Sequence, residues 1–271
     1  MMHRPDVALL DDALDVSVLQ RLLTTQTLGH PLHVLAETAS TNDDVKQLAH
    51  QGAPEGTVVV AAQQTRGRGR QGRSFASPAG GLYLSVLLRP RVETSQLSQL
   101  TLVVAVAVAE ALTTVTKLPI ALKWPNDVEI HGKKVAGILT EAILRADVPP
   151  AVVVGIGINV HTTLAQFAPD LRQRITSLVL ETGRPVARQQ LIATLLARLE
   201  CCYAAFQRDD TSHMHERWLH YGRIIGRQVR FTQGDTEATA VVLGLDTDGA
   251  LLVRTEASAP QRVISGDVTF L

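Results

Sequence analysis

Hydrophobic and polar positions change period several times along this 271-residue chain. Residues 7 to 25 carry leucines and valines at helical spacing and predict a first helix. LHVLAE at 32–37 alternates like a strand. STNDDVKQLAHQG then reads as a helix with both ends marked. Ser40 or Thr41 caps it, Asp43 and Asp44 favour the positive end of its dipole, and Gly52 ends it. TVVVAA at 57–62 and LYLSVLL at 82–88 are short buried strands, and the segment between them has too much Gly and Pro for a helix. Residues 95 to 116 form a long apolar helix. IALKW, DVEI and KVAGILTEAIL follow as strands, with a tight turn at HGK, and AVVVGIGINV at 151–160 is a further strand. Helices are expected around RQQLIATLLARLECCYAAF and HMHERWLHYG. From residue 224 the pattern becomes short strands separated by QGD, TDG and SAP, the mark of a small β-barrel or sandwich. The expected plan is a mixed α+β domain over residues 1–223 and a small β module over 224–271.

Composition narrows the function classes. Hydrophobic residues make up 45% and charged residues 19%, a globular balance. Lys+Arg and Asp+Glu are both 26. A protein built to hold DNA or RNA usually shows a basic excess, so no nucleic-acid partner is expected. The most apolar run, LTLVVAVAVAEAL, is interrupted by Glu110 and falls short of the ~20 residues of a membrane span. The first residues lack a signal-peptide h-region. A soluble cytoplasmic protein is expected, with no membrane partner. Cys201 and Cys202 are adjacent, match no zinc spacing, and read as two small core residues. His213, His215 and His220 read as helix-surface residues.

RGRGRQGR, residues 66 to 73, sets four arginines and three glycines in eight positions. Gly67, Gly69 and Gly72 spell G-x-G-x-x-G, and the run also imitates a Walker A loop with Arg73 in place of lysine. Both motifs need a helix to follow, because the helix N-terminus holds the phosphates. Pro78, Gly80 and Gly81 deny that helix. An RNA-binding arginine–glycine segment is normally a long tail with interleaved aromatics, whereas this one is wedged between two strands. Four guanidiniums repel unless an anion sits among them, and the glycines let backbone N–H groups turn toward it. A solvated surface loop is the bland reading; a loop closing on phosphate is the one physics favours.

Three further stretches carry chemistry. KWPNDV at 123–128 puts Asn126 and Asp127 on a turn at a strand end, after an extended and rigid Trp124–Pro125. It is either a structural turn or a site for a sugar, a phosphate-bound metal or a reacting amine. Lys134 opens the apolar strand KVAGILTE, where it either snorkels to the surface or points into a pocket at an anion. STN at 40–42 sets small hydrogen-bonding side chains at a helix N-terminus, which serves as a cap or as a site for a polar ligand head.

STN, then QTRGRGRQGR, then KWPNDV with GKKVAGILTE, then GIGINV, in this order and at these separations, resemble the biotin protein ligases. The likeness is strong over about residues 32 to 160. It implies a class II aminoacyl-tRNA synthetase-like catalytic domain (the biotin–lipoate ligase fold) followed by a small SH3-like β-barrel. About 30 residues precede the first expected strand, too few for the winged helix-turn-helix of the regulatory members, so the resemblance is to the short class. Many members carry Trp where this chain has Phe75, which keeps the apolar face and loses the indole N–H.

The resemblance implies a two-step reaction. Biotin carboxylate attacks the α-phosphate of Mg-ATP, giving biotinyl-5′-AMP and pyrophosphate. A lysine of a biotin carboxyl carrier protein or domain then takes the biotin and releases AMP. By the same likeness Ser40, Thr41, Asn42 and Gln64 hydrogen-bond the biotin head, and Arg68, Gly69 and Arg70 lie along biotin and the bridging phosphate. Lys134 holds the biotin carboxylate and α-phosphate oxygens. Arg73, Lys123, Asn126 and Asn159 belong to the ATP or adenylate side, Asn159 against adenine. Asp127 is the candidate for Mg²⁺ or for orienting the acceptor lysine. Lys134, Arg70 and Asp127 are the expected catalytic residues. Biotin and ATP are substrates rather than resident cofactors, and the protein is expected to be a monomer or homodimer. The rivals are a lipoate or octanoate ligase of the same fold and a biotin-binding sensor without activity.

Overall fold

A computed structural model of the protein describes residues 13–145, 148–208, 210–233, 236–255, 259–264, 266 and 268–271. The larger sheet has seven strands: β1 (Leu32–Leu35), β2 (Val58–Ala61), β3 (Leu82–Leu88), β4 (Ile120–Lys123), β5 (Asp127–Ile130), β6 (Lys133–Arg145) and β7 (Val148–Ile158). Their order is β1-β2-β3-β7-β6-β5-β4. Only β1 and β2 run parallel, and a parallel pair needs a crossover. Helix α2 (Thr41–His50) supplies it.

LYLSVLL is buried at every position because both faces of β3 are covered. Side chains alternate across a strand. Leu82, Leu84, Val86 and Leu88 join the main core, which includes helices α3 (Leu100–Thr116) and α5 (Arg188–Gln207). Leu87 faces the other way, into a smaller cluster with Val45 of α2 and Val59. Helix α3 is apolar on every side, so it is buried rather than amphipathic. The segment Thr94–Thr116 is long and apolar enough to cross a membrane, but it lies mostly inside the protein. It opens with 3₁₀ turns over Thr94–Gln99, so the α-helix starts later than its apolar pattern predicts.

The other elements meet the expected plan with local corrections. α1 spans Val16–Leu22, shorter than the predicted 7–25: Asp15 accepts from Ser17 N at 2.7 Å and Val18 N at 3.0 Å and starts the helix there. Residues 7 to 12 of that expectation lie outside the described residues. The HGK turn is a two-residue hairpin loop, with His131 at φ 50° and Gly132 at φ 74°, both left-handed as such turns demand. A short helix α4 (Leu178–Thr182) had no strong signal. α6 spans Thr211–Gly222. Cys202 is buried, and burial pushes its thiol up to about 11, but Cys201 is exposed and is no core residue. On α6, His213 and His220 are exposed, while His215 is half-buried with its pKa pushed down by burial.

The C-terminal strands are β8 (Gln228–Gln233), β9 (Thr236–Leu245), β10 (Leu251–Arg254), β11 (Gln261–Val263) and β12 (Val268–Phe270). They form one antiparallel sheet, ordered β11-β10-β9-β8-β12. Its turn at 246–249 docks on the larger sheet's unit. Trp124 Nε1 donates to Gly249 O at 3.2 Å and Ser98 Oγ to Asp248 O at 3.0 Å. A Cβ at Gly249 would meet Leu102 at 2.8 Å, so the approach is close.

Candidate functional site

A cavity of about 280 Å³ opens where the N-terminus of α2, the arginine loop, the β4–β5 turn and the facing stretches of β6 and β7 meet. Small-molecule sites begin near this size. β12 closes one side through Val268 and Thr269. Stretches far apart in sequence therefore converge, because β6 and β7 lie inside the sheet and β5 and α2 flank them.

The arginine loop is ordered by its own backbone. Gly69 N donates to Arg73 O at 2.7 Å and Phe75 N to Gly67 O at 2.9 Å. A tight turn over Arg70–Gly72 puts Gln71 at φ 56° and Gly72 at φ 72°. Gly67 cannot carry a side chain, since a Cβ would lie 2.4 Å from Phe75 O and Ser77 Oγ. Three of the four guanidiniums are individually tethered. Arg68 reaches Asp43 at 2.5 Å and Glu141 at 3.0 Å, Arg70 donates to Asn126 Oδ1 at 3.3 Å, and Arg73 to Gln71 Oε1 at 3.3 Å.

STN sits at the start of α2, but Ser40 and Thr41 do not cap it as expected. Ser40 is in the cap position without a side-chain cap bond. Gln64 replaces it, accepting from Thr41 N at 2.9 Å and Thr41 Oγ1 at 3.1 Å. Ser40, Thr41 and Asn42 are thereby buried with polar atoms beside the cavity. Asn42 Nδ2 donates to Glu141 at 2.7 Å, and Ser85 Oγ donates to Asn42 Oδ1 at 2.6 Å.

On the opposite wall Lys134 Nζ lies 2.6 Å from Asp127 Oδ1. Its backbone is pinned by Lys134 N donating to Arg174 O and Thr176 N donating to Lys134 O, each at 2.9 Å. Lys123 pairs with Glu129 at 3.5 Å. Asn126 Nδ2 donates to Ile138 O at 2.9 Å, which fixes the turn, and the Trp124–Pro125 peptide is cis rather than extended. The floor is glycine. A Cβ at Gly157 would lie 2.4 Å from the Phe75 ring, and one at Gly155 2.2 Å from Asn42 Oδ1. Phe75 lies on this floor with Lys134 Nζ 5.5 Å from its ring centre, a cation–π distance.

Every predicted site residue except Asn159 lines this cavity. Asn159 is buried: its Nδ2 donates to Thr176 O at 3.0 Å and its backbone N to Val135 O at 2.8 Å. Its Oδ1, also buried, meets no hydrogen-bond partner among the described residues. Asp127 is a single carboxylate paired with Lys134, and among the described residues no group of His, Cys, Asp or Glu forms a metal-binding cluster, so a magnesium ion at Asp127 would take its other ligands from nucleotide phosphates and water.

Sequence reasoning missed Glu141, Ser85, Arg174 and the glycine floor. Ser85 is the one hydroxyl inside LYLSVLL without a ring, and Glu141 is a charge inside the apolar run KVAGILTEAIL, so both carried a signal. Burial alone would push the Glu141 carboxyl up. Hydrogen bonds from Lys46 and Asn42, with the charges of Lys46 and Arg68, overcome this and hold it below the usual carboxylate range.

Comparison with known proteins agrees with this geometry. Residues 34–159 match the model of the Biotin/lipoate A/B protein ligase family, and residues 224–271 match that of the Biotin protein ligase C terminal domain. The bifunctional ligase/repressor BirA of Bacillus subtilis is 34% identical over 247 residues, covering 91% of this chain and 76% of that one. The chain belongs to the biotin protein ligases. The biotin–[acetyl-CoA-carboxylase] ligase of Paracoccus denitrificans is 32% identical over 225 residues, or 82% of this chain and 93% of that one. Among solved structures, the biotin protein ligase from Aquifex aeolicus in complex with biotin and ATP is 34% identical, with a TM-score of 0.76, covering 89% of this chain and 98% of that one. The mixed sheet with a C-terminal antiparallel sheet is thus the fold of this family, as its motifs imply.

Proposed function

We propose that this biotin protein ligase condenses biotin with ATP to biotinyl-5′-AMP in the cavity described, and then passes biotin to a lysine of a biotin carboxyl carrier protein. The observation that carries this reading is the convergence of STN, the arginine loop, the WPND turn and Lys134 on one glycine-floored cavity. Ser40, Thr41, Asn42 and Gln64 offer small neutral donors and acceptors to the ureido ring. Lys134 gives its charge to the biotin carboxylate and α-phosphate, while Asp127 holds the ammonium in place until they arrive. Arg68, Arg70 and Arg73 surround the phosphates, with Lys123 and Asn126 at the edge of the adenylate site. Fixed cations suit a step that brings two anions together, and one well-placed donor is worth about 10²–10³ in rate. Asn159 acts at one remove, tying Thr176 to the strand end that carries Lys134. The nucleotide enters as its magnesium complex, so the metal comes with the substrate.

The catalytic unit takes up residues 1–223 and the β module 224–271. Monomer or homodimer, the protein works in the cytoplasm without nucleic acid, in keeping with equal numbers of acidic and basic residues. Incubation with ATP and either biotin or lipoate, read by mass detection of the acyl-AMP, tests the reading. Biotinyl-AMP is the expected product. Lipoyl-AMP alone would favour a lipoate ligase, and biotin bound without adenylate a sensor.

A further inference from the structure

Glu141 stands on β6 and meets three other parts of the chain. Its Oε2 accepts from Asn42 Nδ2 at 2.7 Å and from Arg68 of the loop at 3.0 Å, and its Oε1 accepts from Lys46 Nζ of α2 at 2.6 Å. An ionised carboxylate only accepts hydrogen bonds. The Asn42 amide must therefore turn its NH₂ to Glu141, which sends its carbonyl oxygen the other way. There it meets the hydroxyl of fully buried Ser85 at 2.6 Å, which shares its one proton between this oxygen and Thr41 Oγ1 at 2.7 Å. The Asn42 oxygen occupies space that only a glycine at 155 leaves open. An asparagine amide by itself has two nearly equivalent orientations. Here the Glu141 carboxylate at 2.7 Å, with the Leu139 carbonyl at 3.5 Å from the same Nδ2, leaves one.

We infer that Glu141 is a positioning residue that locks Asn42 with its carbonyl oxygen as a fixed acceptor in the pocket wall, selecting a ligand head that offers N–H groups. The inference rests on the reading of Asn42 as a contact to the biotin head. A cyclic urea carries such N–H groups; a dithiolane ring carries none. An acceptor has two lone pairs, and Ser85 takes at most one. Lys46 neutralises Glu141, so the carboxylate sets this orientation without placing a bare negative charge beside an anionic substrate.

Glu141→Gln tests this at nearly constant shape. It removes the charge and lets either end of the Asn42 amide face position 141. Biotin binding, measured by calorimetry without ATP so that it does not depend on turnover, should weaken about tenfold, the loss of one charge-assisted hydrogen bond. ATP binding should weaken by a smaller factor than biotin binding, because Arg68 keeps its ion pair with Asp43 at 2.5 Å when the Glu141 charge is gone. In an Asn42→Ala background the same change should alter biotin affinity by no more than about twofold, because the residue through which it acts is gone. Unchanged biotin affinity in Glu141→Gln would overturn the inference. So would equal losses for biotin and ATP, or a full effect persisting without Asn42. None of these results depends on whether adenylate forms, so a failure here is distinct from a failure of the ligase reading.

Discussion

Lys134 and Asp127 lie 2.6 Å apart at the cavity wall, each about a quarter to a third exposed. Lys134→Ala should leave the fold intact, because the strand is held by its backbone bonds to Arg174 and Thr176 rather than by this ammonium. Adenylate formation should fall at least tenfold to a hundredfold, as charge-assisted bonds are worth about 1.5–3 kcal/mol before any transition-state contribution. Pyrophosphate release with biotin and ATP is the measurement; release at the wild-type rate with normal biotin affinity would show that another lysine, Lys133 or Lys123, does this work. The position of Lys134 was legible because an ammonium heading an apolar strand must find a polar partner. Its partner was not, since the pairing of β5 with β6 shifts register between Val128 and Glu129 and no periodicity reveals such a slip. The packing of Asn159 was hidden for a related reason. GIGINV names the residue, but only the approach of β7 to the segment at 174–177 gives its Nδ2 the carbonyl of Thr176.

The arginine loop is held at its middle by side chains from other elements, Asp43 of α2 and Glu141 of β6 on Arg68, and Asn126 of the β4–β5 turn on Arg70. A mixed anhydride is destroyed by water, and the proposed reaction makes this loop the lid that keeps water from it. Arg70→Gly removes the tether to the β4–β5 turn and adds a glycine to a segment already rich in them. Hold on biotinyl-AMP should weaken about tenfold to a hundredfold, the worth of one hydrogen bond to a charged group. Lys134 and the remaining arginines should still support adenylation, so adenylate escapes and labels lysines of bystander proteins. Biotin incorporated into serum albumin, with wild type alongside, measures it. A variant that makes biotinyl-AMP yet labels albumin no more than wild type would show that the loop is no lid. That this segment is a loop and no Rossmann or Walker turn was readable from Pro78, Gly80 and Gly81. Its partners were not, because ion pairs across elements leave no spacing in the sequence.

Strand order, by contrast, follows from connections and burial together. The parallel β1–β2 pair with its helical crossover and the hairpin at HGK were within reach of the sequence, while the insertion of β7 between β3 and β6 was not, because LYLSVLL and AVVVGIGINV are buried on both faces and apolar runs do not name their neighbours. What ties these parts together is partly titratable. Glu141 joins β6 to α2 and the loop, Glu181 joins α4 to the hairpin turn through His131 and to Thr176, and Asp248 sits in the C-terminal turn with Arg262. In each, burial alone would raise the carboxyl, but hydrogen bonds and neighbouring positive charge win and the folded pKa is lowered. A carboxyl with a lowered folded pKa stabilises fully above its unfolded value and loses that contribution as pH falls through the folded one. Half-buried His215, whose folded pKa burial depresses, pulls in the same direction from a higher pH, since unfolding lets it take a proton. Stability should therefore decline steadily from neutral pH into the carboxylate range, by about 1.4 kcal/mol per pH unit for each extra proton the unfolded chain binds. Urea midpoints of the ligand-free protein across that range give the slope. The advantage of wild type over Glu141→Gln should shrink as pH falls and vanish once Glu141 is protonated in the folded state. A difference between the two that stays constant down to the acid end would mean that the Glu141 charge does not hold β6, α2 and the loop together.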